Sequence, residues 1–379
     1  MTAPSLPWFE PQFGVAERDA VAAVFDSGYL NDGEVTRAFE RAFAARLGVR
    51  HAVAVSNGTA AIALGLMAAG IGPGDEVLVP NFTFIATANA VRLAGAAVKL
   101  VDIDPRTLTI SVLSTERNLS SATRAIVPVD VNGRGADYSA LGKLCDKWGL
   151  VLISDSCEAL GSHFHGQKLG TYGKAGCFSF SANKTVSCGQ GGMIVTNDAD
   201  LHDRLRELKD QGRREGGTGG DDLHPVIGYN FKLTNLQAAV GLAQLEQLHT
   251  RLDHARLINR FYREGLSGLQ GVELLPLDDE GTVLQWNDVL IDDRARVCQA
   301  LDAAGIGYRR FWHPLNTQEP YAAPSELFPY SQRVSSRGLW LPSGFSLSEG
   351  DVNRVCQLVQ RAVSGLPQRR TLTGSTECK

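Results

Sequence analysis

The sequence predicts an α/β fold, with a large domain built on a mostly parallel sheet and a smaller domain after it. Three observations predict this. From residue 51 onward, short runs rich in Val, Ile and Leu alternate with longer helix-patterned segments, as in strands joined by crossover helices and covered on both faces. The chain has 379 residues, more than one core of about 100–200 residues accommodates. It also carries 40 glycines, and glycine is what tight strand-to-helix turns use.

The elements follow in order. HAVAVSNG leads into TAAIALGLMAAG, EVLVPNF into IATANAVRLAG, AVKLVDID stands next, AIVPVDVNG leads into YSALGKLCDKWG, and LVLISDS closes the series. AGCFSFS and GGMIVTND then come too close together for a helical crossover, so an antiparallel pair is predicted there. Residues 199–210 read as a helix and 211–222, QGRREGGTGGDD, as a mobile glycine-rich loop. Thr234-Asn235 opens one long helical pattern, LQAAVGLAQLEQLHTRLDHARLINRFYREGL. A helix of that length suits a bridge between domains, which places the boundary near residue 245. The large domain is then residues 1–245 and the small C-terminal α+β domain 246–366. Within the small domain, LLPL and TVLQWNDVLI read as strands, and 293–304 and 348–364 as helices. Residues 367–379 are polar and expected to be a flexible tail.

Composition narrows the function classes. The net charge of −4 leaves no electrostatic footprint for nucleic acid. Seven cysteines are scattered with no C-x-x-C spacing, which predicts reduced thiols in a cytoplasmic protein rather than disulfides or a zinc site. The N-terminal segment has no basic stretch followed by an apolar core, so no signal peptide is expected. No apolar run reaches the roughly 20 residues that span a bilayer.

Three features carry chemistry. Ser56-Asn57-Gly58-Thr59 lies between a strand and an alanine-rich helix. The free amides of such a helix's first turn, with its dipole, suit a phosphate. The competing reading is a plain strand-helix turn with Thr59 as the N-cap. Asp155 ends the run Val151-Leu152-Ile153-Ser154, and the carboxyl end of a central strand is where α/β sheets bind ligands. Beside a pyridine nitrogen its carboxylate would keep that nitrogen protonated; the alternative is a helix cap. Finally, Phe178-Ser179-Phe180-Ser181-Ala182-Asn183-Lys184 delivers one lysine into the glycine turn 189–192. A Schiff-base lysine must shed its proton to attack an aldehyde, which partial desolvation favours.

With these residues in place, SNGTAAIALGL, VPNFTFIATANAV, LVLISDSCEALGS, GCFSFSANKTVSCGQGGMIVTND and IGYNFKLTNLQAAVGLAQLEQL together resemble the DegT/DnrJ/StrS sugar aminotransferases, from about residue 8 to residue 363. The resemblance is nearest to the GDP-perosamine synthase branch. It implies the fold-type-I architecture of aspartate aminotransferase, a seven-stranded sheet, and pyridoxal 5′-phosphate as cofactor. It implies that Lys184 forms the Schiff base, that Asp155 pairs with the pyridine nitrogen, and that Phe84 stacks on the ring. Gly58, Thr59 and Ser179 would bind the phosphate, and Asn230 would reach the phosphate of the neighbouring subunit of a homodimer. Glu158 would stand near the cofactor's phenolic oxygen, where it must be protonated or hold a hydrogen bond. Gln190 replaces the family's common Glu, and Asn316 replaces the perosamine branch's His.

The resemblance implies a nucleotide-linked keto-6-deoxy-sugar as acceptor and L-glutamate as donor, with 4-amination favoured. A 3-keto-sugar or cyclitol aminotransferase of the same family is the alternative. A non-catalytic regulator on the same scaffold is another, and a pyridoxamine-dependent dehydratase a third, although relatives of that kind carry His in place of the lysine. For the substrate, His313 could touch the sugar, against a partly buried histidine beside Pro314. Arg213 and Arg214 could clamp phosphates, against a solvated pair. His163 and His165 have no third metal ligand at suitable spacing and predict a surface hairpin, so no metal is expected.

Overall fold

The computed structural model describes residues 5–214, 222–277 and 281–365. The aliphatic runs form strands β1 (His51–Val55), β2 (Glu76–Pro80), β3 (Ala97–Val101), β4 (Thr123–Ile126) and β5 (Val151–Asp155). A short hairpin, β6 (His163–Phe164) and β7 (Gln167–Lys168), precedes β8 (Ala175–Ser179) and β9 (Gly192–Thr196). Seven of these make one sheet in the order β1-β9-β8-β5-β4-β2-β3. β9 runs antiparallel to both neighbours, as the short step after β8 demands, and the remaining pairings are parallel. The His163/His165 segment is the β6–β7 hairpin.

Helices cover both faces. The helix Gly58–Ala68 is buried on almost every side because Ala, Ile and Leu leave it no polar face, and it packs in one cluster with Val53, Ile153, Cys177 and Ile194 of the sheet. Phe39, Phe43, Phe178 and Phe180 fill the opposite side.

A second, four-stranded antiparallel sheet, ordered β10-β11-β13-β12, comprises β10 (Val272–Glu273), β11 (Asn287–Ile291), β12 (Arg309–Arg310) and β13 (Gly338–Leu341). The helices Leu248–Leu266, Arg294–Ala303 and Glu349–Val363 pack on it through their own apolar cluster.

Several expectations are corrected. The long helical pattern is two helices, Asn235–Glu246 and Leu248–Leu266, divided at Gln247. The apolar period runs on through the break, so patterning does not reveal it. What pins the break is polar: Glu17 accepts from the side chains of Gln244 (2.7 Å) and Gln247 (3.3 Å), and Arg251 donates to the carbonyls of Gln12 and Thr185.

LLPL is not a strand, and only Asn287–Ile291 of TVLQWNDVLI is. Leu275 instead plugs a cluster with Phe82, Trp286 and Trp340. The Val283 N–H and C=O bond the Ser162 hydroxyl, and the Trp286 N–H bonds Asn132 Oδ1. Backbone groups satisfied by side chains have no need of a ladder. The six described cysteines are all free. Cys378, the tail from 367, and residues 215–221 of the glycine-rich loop lie outside the described residues.

Candidate active site

The carboxyl ends of β1, β2, β5 and β8 converge on one cavity of about 280 Å³, with Lys184 on its wall. Gly58, Thr59, Phe84, Asp155, Glu158 and Ser179 line it too. Six residues drawn from four chain segments thus meet around the lysine.

The helix after β1 is capped by Asn57, whose side-chain oxygen accepts from the Ala60 N–H at 2.9 Å. Thr59 is therefore not the cap. The cap bond goes to the Ala60 amide at N3, and the first-turn amides of Gly58 and Thr59, at N1 and N2, make no hydrogen bond with another described residue. Both residues line the cavity at the positive end of the helix dipole. Glycine at position 58 is required: a Cβ there would lie 2.9 Å from Ser179 Cβ and 3.0 Å from Cys157 Sγ.

Asp155 is buried at the end of β5. Its Oδ2 accepts from the Thr87 hydroxyl at 2.7 Å and its Oδ1 from the Cys157 N–H at 3.2 Å. Lys184 Nζ donates to Glu158 Oε1 at 3.4 Å and sits 5.1 Å from the Trp286 ring centre. Glu158 also accepts the Asn132 N–H through Oε2 at 3.1 Å. Burial raises the Glu158 carboxyl above its ordinary range, with the Lys184 charge and the Asn132 amide working against that rise. The Glu158 carboxyl therefore accepts hydrogen bonds on both of its oxygens.

Other expected residues lie elsewhere. Asn230 is exposed and outside this cavity of its own chain. His313 is exposed rather than partly buried, and it does not line the cavity either. Arg213 pairs with Asp222 at 3.0 Å and Arg214 with Glu207 at 3.4 Å, and neither lines the cavity. Asn316 is buried and exchanges hydrogen bonds with Asn81, so it serves the packing beneath the site. Sequence reasoning missed Thr87, Trp286, Arg309 and Trp312, all on the cavity wall. The last three come from the C-terminal half; Arg309 and Trp312 lie in the segment GIGYRRFWHPLN, from which the sequence singles out only His313 as a site residue. Among the described residues no cluster of His, Cys, Asp and Glu could hold a metal, and no helix is long and apolar enough to cross a membrane.

The residues present fit pyridoxal phosphate. Free amides at a helix N-terminus match its phosphate, Asp155 its ring nitrogen, Glu158 its phenolic oxygen, and the half-exposed Phe84 its ring face. Fold and cavity together define a pyridoxal-phosphate-dependent aminotransferase of fold type I. Residues 11–360 match the DegT/DnrJ/EryC1/StrS aminotransferase family, and the chain belongs to it. GDP-perosamine synthase of Caulobacter vibrioides is 37% identical over 354 residues, 91% of this chain and 95% of that protein. GDP-perosamine synthase of Vibrio cholerae is 35% identical over 365 residues, 94% and 98% respectively. The structure of S. venezuelae DesV in complex with a ketimine intermediate aligns at a TM-score of 0.90 with 32% identity, covering 96% of this chain and 99% of that one.

Proposed function

We propose that the protein converts a nucleotide-linked keto-6-deoxy-sugar into an amino sugar with nitrogen from L-glutamate, as a 4-aminotransferase of the perosamine synthase kind. The observation that carries this is the placing of Lys184, Asp155 and Glu158 around one cavity at the head of the Gly58–Ala68 helix. The similarity to GDP-perosamine synthases over more than nine-tenths of the chain supports the sugar class.

When bound, pyridoxal phosphate supplies an electron sink for the pair left when a Cα–H bond breaks. The chain's own residues do the rest. Gly58 and Thr59 amides, with the Ser179 hydroxyl, hold the phosphate. Asp155, oriented by Thr87, keeps the ring nitrogen protonated. Lys184 Nζ takes the proton from the amino donor's Cα and returns one to the sugar carbon in the second half-reaction. Glu158, whose two oxygens accept from Lys184 and the Asn132 amide, would stand beside the phenolic oxygen with its charge offset by those donors. Asn230, exposed on its own chain, reaches the phosphate of a partner subunit, which makes the working unit a homodimer.

The test is the visible absorption of the purified protein before and after L-glutamate, with Lys184→Ala alongside. A yellow band that glutamate bleaches, absent or unresponsive in the variant, is expected. Wild-type protein that stays colourless with added pyridoxal phosphate would sink the reading, as would full turnover by Lys184→Ala.

A further inference from the structure

Lys184 Nζ rests between two groups, the Glu158 carboxyl at 3.4 Å and the Trp286 ring, whose centre is 5.1 Å away. Both trace back to Asn132, in the turn Val131–Gly133 after β4. The Asn132 N–H donates to Glu158 Oε2 at 3.1 Å. Its side chain closes on the Trp286 backbone from both sides: Oδ1 accepts the Trp286 N–H and Nδ2 donates to the Trp286 carbonyl, each at 2.8 Å. Nδ2 also donates to Asp288 Oδ2 at 2.6 Å, so both hydrogens of this fully buried amide are used.

Asn132 has φ 54° and ψ 35°, in the left-handed region that residues other than glycine seldom enter. A backbone held there marks a place where the surroundings over-determine one conformation. In it a single residue aims its N–H at Glu158 and its side chain at Trp286. The Trp286 ring has no freedom of its own. It is 1% exposed, lies 5.4 Å from Trp8 and 5.2 Å from Trp340, and its Nε1 makes no hydrogen bond among the described residues. Packing and the backbone therefore place the ring, and Asn132 holds the backbone.

The other charged or titratable groups on the cavity wall are Asp155, Cys157 and Arg309. Asp155 is bonded by Thr87 and the Cys157 amide. Arg309 lies against the same tryptophan cluster, its guanidinium carbon 5.4 Å from the Trp8 ring centre and 5.6 Å from that of Trp340. Among the described residues, the Lys184 amine donates to Glu158 alone.

We propose that Asn132 is the positioning residue of the Lys184 amine, acting through Glu158 on one side and Trp286 on the other. The inference rests on Lys184 being the reacting amine, as read above. A lysine that takes a proton from one substrate carbon and returns one to another must hold its amine in the same place each time. A flexible four-carbon stem does not do this unaided. The carboxyl and the aromatic face, which attracts a cation in a dry site, together give Nζ one resting point on the cavity wall.

The test reads the amine directly. Full-length protein freed of cofactor is treated with formaldehyde and cyanoborohydride, and methylation of each lysine is followed by peptide mass spectrometry. Asn132→Gly tolerates the backbone conformation and keeps the N–H to Glu158 but drops the side chain. Trp286→Leu removes the ring, and Trp286→Phe keeps one. Lys184 should be methylated about tenfold faster in Asn132→Gly and Trp286→Leu, the scale of one desolvated cation–π contact. Trp286→Phe should fall between, and the buried Lys209 should react as in the wild type. In the holoenzyme, the limiting bleaching rate at saturating L-glutamate should drop about tenfold in the first two variants, with half-saturation unchanged. Lys184 methylation at the wild-type rate, equal acceleration of Lys209, or a loss confined to half-saturation would each overturn the assignment. If Asn132→Gly does not fold, Trp286→Leu against Trp286→Phe decides, and equal behaviour of those two overturns it. A wild-type protein that takes up no cofactor overturns the function proposed above instead, and the methylation rates still decide the part of Asn132.

Discussion

Asp130 shows how one residue can matter to the site without touching it. It is fully buried; its Oδ1 accepts from the Tyr138 hydroxyl at 2.8 Å and its Oδ2 from the Ser156 hydroxyl at 2.5 Å. Its N–H donates to the Asp155 carbonyl at 2.9 Å, which ties the end of β5 below the Asp155 carboxylate. Burial pushes its carboxyl up from 3.8 to about 7, against the hydrogen bonds that Ser156, Tyr138 and the Ala136 amide donate to it. Between those values the folded protein holds a proton that the unfolded chain has released, so stability falls as pH rises through that window. Relative to Asp130→Asn, the wild-type melting temperature should be highest near pH 4, decline toward pH 7 and level off above it. A difference between the two melting curves that stays constant with pH would refute this.

At the scale of elements, the site is an arrangement of strand ends and one helix start. The Gly58–Ala68 helix can present its first amides to the cavity only because nothing stands between its backbone and Ser179. Gly192 does the same for β9, where a Cβ would lie 2.4 Å from the Asn57 carbonyl oxygen. Gly58→Ala should push the helix start away from Ser179 while leaving the rest of the sheet intact. The expected result is about tenfold weaker cofactor retention, the size of one lost hydrogen bond, measured by absorbance after dialysis, with little change in far-ultraviolet circular dichroism. Retention equal to wild type would mean that those amides do not hold the phosphate.

On the scale of the whole molecule, the two sheets are joined by a buried ion pair. Arg134, after β4, meets Asp288 of β11 in a two-pronged contact at 2.5 and 2.9 Å, with both side chains almost fully buried. Asn132 donates to the same carboxylate at 2.6 Å while its own N–H holds Glu158. The junction that joins the sheets therefore also sets the carboxyl beside Lys184. Asp288→Ala should destabilise by about 3–5 kcal/mol, the cost of leaving a buried charge unpaired, seen as a lower urea midpoint. The double variant Arg134→Met with Asp288→Leu should recover most of that stability but not the activity. Stability unaffected in the single variant would mean that the junction does not depend on this pair.

The sequence by itself determined the parallel sheet, the antiparallel step at β9, the lysine, the aspartate at the end of β5, and the family. These are legible because period, strand propensity and motif order are local properties of the chain. It did not reveal the helix break at Gln247, the side-chain-bonded segment before β11, or the tryptophan cluster under Lys184 and Arg309. Each of those depends on partners more than a hundred residues away, such as Glu17 for Gln247, Asn132 for Trp286 and Trp8 for Arg309. A buried polar contact of that range leaves no periodic trace in either segment, so only the folded chain decides it.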